Sequence, residues 1–246
     1  MNKTYSDIYS ADSYLYRHYG PENYAIAQPG FMGIISAASG SGKSTLMEPI
    51  IASCVADNSV ISNWQFKSFD NTVVHIDTEL PRDLYEAQSD RIFDLSGVEP
   101  NVFDNRYKYF NVVDQVSFAA KRAAVKEIIN TEVASLYVID NITGLCDPND
   151  KETAYKMAYS FNALASDKNC IVIAVGHVNN RNTERGWLGR AFKEVGSFAF
   201  ILDLYKDIGV TVVTPDKDRI GGMPTTAFSV NEYKQVVDDI YMPFPL

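Results

Sequence analysis

The sequence predicts an α/β domain: a mostly parallel central sheet flanked by helices, with antiparallel strands near the C-terminal end. Three observations predict it. Short apolar runs alternate with amphipathic stretches of helical length, the pattern of a parallel sheet covered on both faces. One such run, 31–35, passes through a loop of small residues straight into Lys43-Ser44-Thr45 and a helix. Two further runs, about 199–205 and 210–213, follow each other with no helical stretch between them.

A chain of 246 residues with 46% hydrophobic content suits one large domain better than two. The expected division is a Tyr-rich N-terminal arm over 1–29, a core over 30–232 and an acidic-aromatic tail over 233–246. Net charge is −9, so the overall field repels nucleic acid and anionic membranes, and any contact with a polyanion needs a local basic patch. The cysteines Cys54, Cys146 and Cys170 lie far apart without CxxC spacing, which points to buried thiols in a reducing compartment. No run has the length of a membrane span and the first residues carry no signal core, so a cytoplasmic protein with no membrane partner is expected, in the host cytoplasm if the gene is a phage's.

In chain order, residues 1–24 hold six tyrosines, Tyr5, Tyr9, Tyr14, Tyr16, Tyr19 and Tyr24. They read either as an arm that meets a neighbouring subunit or a base, or as a segment covering its own core, and the second is preferred. The run at 31–35 then delivers Ala37, Ala38, Ser39, Gly40, Ser41 and Gly42, closed by Lys43, Ser44 and Thr45. Small side chains let successive backbone N–H groups approach phosphate oxygens at a helix N-terminus. Lys43 supplies charge to the β and γ phosphates of ATP, and the Ser44 hydroxyl suits Mg²⁺. In the following helix Leu46, Ile50, Ile51 and Cys54 share a face, and Pro49 is expected to kink or end it near Glu48.

A strand over 72–77 runs into Glu79, whose carboxylate is placed to activate water against a γ-phosphate. The alternatives are that Glu79 only favours a helix N-terminus, or that Asp77 is the base. Helix (82–95), strand (109–113) and helix (117–130) follow. The strand over 136–140 ends in Asp140, where Mg²⁺ held through water would offset its charge. After a helix over 152–166 with an apolar face, the strand over 170–175 delivers His177, a γ-phosphate sensor or simply a satisfied polar residue.

The stretch 178–190 reads as a glycine-flanked loop in which Arg181, Arg185, Trp187 and Arg190 suit single-stranded nucleic acid, the alternative being a solvated loop. Lys217 and Arg219 alternate in an extended segment, as a cationic finger for a neighbour's site or as a charged turn.

Together AASGSGKST, IDTEL, LYVIDNITGL, AVGHVNN and DKDRIGG resemble, in order, the motifs of the RecA-like P-loop ATPase core, nearest to its RadA (Sms) and DnaB-type branch. The resemblance spans about 30–230. It implies ATP and Mg²⁺ as cofactors, hydrolysis at subunit interfaces in a ring or filament of the chain with itself, Glu79 as base, His177 as sensor, residues 181–189 as the DNA loop, and Lys217 and Arg219 acting in trans. Ala37 stands where the strict loop has Gly, Asn179-Asn180 replace a basic residue, and neither a zinc-binding cysteine cluster nor a second domain is found. A phage or mobile-element ATPase of recombination, repair or replication fits this reduced form, working on single-stranded DNA with replication or recombination proteins. The competing readings are a hexameric helicase or its loader and, from another class, a small-molecule kinase or nucleotide-gated scaffold.

Overall fold

The parallel strands are built from near-continuous apolar runs because both of their faces are covered. In the computed structural model, which describes residues 14–19, 22–56, 59–67, 70–178, 186–220, 222–230 and 236–237, these are β3 (Met32–Ala37), β6 (Val73–Asp77), β7 (Tyr107–Asn111), β8 (Leu136–Asp140) and β9 (Ile171–His177). The antiparallel strands are β10 (Phe198–Tyr205), β11 (Val210–Asp218), β12 (Thr226–Val230) and β13 (Val236–Val237). The sheet order is β13-β12-β11-β10-β3-β9-β8-β6-β7. β9 thus sits between β3 and β8, with Ala37 opposite His177, and Asp77 opposite Asp140 on the next pair.

Alternate residues of each strand feed two cores. Ile35, Val73, Val138 and Ile173 pack towards α1 (Lys43–Val55), α2 (Arg82–Ser96) and α3 (Pro100–Arg106). Ile34, Val74, Ile139 and Val172 pack towards α4 (Phe118–Thr131), α5 (Lys151–Asp167) and α6 (Gly186–Val195). The α/β class and the C-terminal antiparallel strands agree with the sequence reading.

Four details differ. Pro49 does not end α1, which runs from Lys43 to Val55, with the residues about Pro49 buried. Tertiary packing outweighs the one backbone bond that proline forfeits. The strand expected at 109–113 begins two residues earlier, and the short α3 precedes it. Residues 186–190 belong to helix α6 instead of a loop, because Leu188, Ala191 and Phe192 recur at helical spacing and are buried. Finally, β1 (Tyr14–Tyr19) pairs on one side with β2 (Glu22–Ala27) and on the other with β5 (Trp64–Lys67), which pairs with β4 (Val60–Ile61), in a second antiparallel sheet. Its Leu15, Ile26, Trp64 and Phe66 enter the α1 core, and buried Arg17 bonds the Ser62 carbonyl at 2.7 Å with its guanidinium over the Trp64 ring. Tyr5, Tyr9, Arg181, Arg185 and most of the tail lie outside the described residues.

Candidate nucleotide site

Every group read from the strand tips lies at the carboxyl edge of the parallel sheet, where a crevice opens between strands and helices. β3 ends at Ala37, and Gly40 and Gly42 take φ of 76° and 84° to turn the chain into α1. At Gly42 a side chain is disfavoured by that left-handed backbone and crowded by Phe228, whose ring would lie 3.3 Å from an added Cβ. Thr211 Oγ1 donates to the Ser41 carbonyl at 3.4 Å, so β11 supports the loop from the side away from β9.

Lys43 is buried. Its Nζ donates to the carbonyls of Ala37 (3.2 Å) and Ala38 (3.0 Å) and lies 3.2 Å from His177 Nδ1. Burial pushes its pKa down, opposed by the carboxylates of Asp140 and Glu79. Asp140 is buried, its Oδ2 has no hydrogen-bond partner, and burial followed by the neighbouring Asp77 charge raises its pKa to about 7. Asp77 shapes the turn that follows β6, since its Oδ1 accepts the N–H groups of Glu79 (2.7 Å) and Leu80 (2.8 Å).

That turn aims Glu79 into the crevice. Its carboxylate lies 3.6 Å from His177 Nε2 and accepts the Thr143 hydroxyl at 3.1 Å. Contact with His177, foremost, and with Asn141 and Thr143 brings its pKa down to about 2, so it is ionised at neutral pH. His177 therefore bridges Lys43 and Glu79. It is also crowded by donors, since the Asn141 amide nitrogen faces Nε2 at 3.1 Å while Lys43 faces Nδ1.

The sequence missed Asn141 and Thr143. They lie at the start of the 3-10 turn after Asp140, where Asn141 Oδ1 accepts the Thr143 N–H at 2.9 Å and competes with Glu79 for the Thr143 hydroxyl proton. The polar residues Asp140, Asn141 and Thr143, three of the four that end and follow an apolar strand, are the signal that marks them.

The remaining residues lie elsewhere. Trp187 is half-buried at the start of α6, with Lys151 Nζ 4.5 Å and the Arg190 guanidinium 5.3 Å from its ring centre. Arg190 pairs with Glu194 at 2.7 Å. Lys217 is opposite Ala199, which neighbours Ile34, three residues before the end of β3. Lys217 is therefore at mid-strand, and the exposed Arg219, next to Ser197 and so level with Met32 at the start of β3, is on the far edge of the sheet from its own Lys43. Lys217 Nζ donates to the carbonyls of Lys193 (2.8 Å) and Glu194 (2.9 Å), holding the end of α6, while the Arg219 N–H donates to Ser197.

A family model described as an AAA domain, AAA_25, matches residues 25–183, which include Lys43, Glu79, Asp140 and His177. The chain belongs to the AAA_25 family. Solved structures similar to this AAA_25 chain include the ATPase domain of G40P (TM-score 0.61, 11% identity, 87% of this chain and 86% of that one). The RadB recombinase (0.60, 16%, 87% and 92%) and the KaiC-like protein PH0186 from Pyrococcus horikoshii OT3 (0.60, 16%, 86% and 90%) are similar to the same degree. At these identities the likeness is one of fold. No curated protein matches the sequence. The fold is a RecA-like P-loop ATPase core, and membership of this family implies nucleotide binding. Among the described residues no helix is long and apolar enough to cross a membrane.

Proposed function

We propose that the AAA_25 chain hydrolyses ATP at interfaces between its own copies and acts on single-stranded DNA in recombination, repair or replication. The observation that carries the hydrolytic reading is the convergence of Lys43, His177 and an ionised Glu79 from three strand tips around a buried Asp140. Triphosphate binding gives Lys43 a stronger, charge-assisted partner than the Ala37 and Ala38 carbonyls. His177 then exchanges Lys43 for the terminal phosphate, and Glu79, released from His177, orients and deprotonates the attacking water. The unpartnered Asp140 oxygen and the half-buried Ser44 hydroxyl at the start of α1 fit Mg²⁺, with Asp140 acting through water. The ion would neutralise charge on the phosphates.

Assembly is supported by Arg219, which is exposed on the edge opposite its own loop and so is free to meet the nucleotide of a neighbouring copy. The DNA assignment rests on Arg181 and Arg185, outside the described residues, with Trp187 and Arg190 next in sequence; the structurally similar RadB is a recombinase. ATP turnover measured with and without a single-stranded oligonucleotide tests it. Stimulation that weakens steeply with salt is expected. Turnover indifferent to any DNA or RNA removes the nucleic-acid part.

A further inference from the structure

On the reading that Glu79 activates water, the structure assigns Lys121 as a positioning residue for Glu79, acting through Thr78. Thr78 is buried, and each of its polar groups is fixed by a different partner. Its N–H donates to the Asp140 carbonyl at 2.8 Å and its hydroxyl to the Asn141 carbonyl at 2.7 Å. Both partners lie on the tip of β8, and the fit there is close, since a Cβ on Gly144 would come within 2.3 Å of Thr78 Oγ1. The third group is the Thr78 carbonyl, which belongs to the peptide that carries the Glu79 N–H. It accepts Lys121 Nζ at 2.7 Å, from the opening turns of α4.

The next residue, Arg122, donates to the Leu145 carbonyl at 2.6 Å, at the end of the turn that bears Asn141 and Thr143. Two adjacent cations of one helix therefore hold the two turns that between them place Glu79 and its hydroxyl and amide partners. A buried carbonyl that loses its donor is left unsatisfied, and rotating the peptide towards another donor is the available relief. Rotation of the 78–79 peptide swings Glu79 off the water while the phosphate loop, on α1 and β3, stays in place. Lys121 thus affects the chemical step and not nucleotide capture.

The test compares Lys121→Met, Lys121→Arg and wild type in the full chain, reading kcat, KM for ATP, affinity for a non-hydrolysable ATP analogue, and Tm. The expected result is a kcat at least tenfold lower in Lys121→Met, with KM and analogue affinity within about twofold of wild type, and most of kcat restored by Lys121→Arg, which keeps a charged donor. Where Lys121→Met does not fold, Lys121→Gln and Lys121→Arg give the same comparison, with kcat following donor strength. Unchanged kcat in these variants, or loss of analogue affinity in step with kcat, overturns the assignment. Loss of turnover in Glu79→Gln alongside unchanged turnover in Lys121→Met overturns it while leaving the hydrolytic reading intact. A wild type that hydrolyses no ATP removes both.

Discussion

At the scale of single residues the chain carries a titrating group away from the nucleotide. His75, buried in β6, takes a hydrogen bond with Tyr107 at 2.9 Å and lies edge-on to Tyr109. Burial lowers its pKa from 6.5 to about 3, so it is neutral in the fold. The unfolded chain takes up that proton first as pH falls. The contribution of His75 to stability is therefore complete above about 6.5 and is lost as pH drops towards 3, with roughly 4–5 kcal/mol as its upper bound. Urea midpoints measured from pH 7 to pH 4.5 should fall more steeply for wild type than for His75→Gln; parallel curves would contradict this. The tips that bring Lys43, Asp140, Glu79 and His177 together were legible because each follows an apolar run. Asn141, Thr143 and Lys121 were not, since their roles depend on turn geometry and on contacts between segments distant in the chain.

At the scale of elements, β3 is placed by one close approach. Gly33 lies beneath the ring of Phe198, where an added Cβ would fall 2.2 Å from a ring carbon. Gly33→Ala must push β10 away from β3 or displace the ring, at a cost of about 1–3 kcal/mol. Thermal unfolding should show a Tm lower by roughly 2–6 °C, and an unchanged Tm would mean that the strand pair accommodates the methyl group. Strands and long amphipathic helices were legible from period. Helix α6 was hidden by Gly186 and Gly189, although Leu188, Ala191 and Phe192 keep helical spacing. The second sheet was hidden because β1 finds its partner β5 across α1, a pairing that local pattern does not encode. Pro49 shows the same tertiary override of a local rule.

At the scale of the whole molecule, the proposed activity requires more than one copy. Arg219 and Glu79 occupy opposite edges of the sheet, so the site as proposed takes each from a different protomer. Arg219→Ala and Glu79→Gln should each be inactive alone. Mixed together they should recover part of the turnover, because some interfaces then combine an intact Arg219 with an intact Glu79; recovery absent at every mixing ratio would contradict shared sites. Beneath all of these stands the claim that Glu79 cleaves the nucleotide that Lys43 holds. Phosphate release from ATP and Mg²⁺, measured in parallel with analogue binding for wild type and Glu79→Gln, tests it most directly. A loss of about 10²–10⁴-fold in turnover is expected, with binding retained; equal turnover in the two proteins would contradict it.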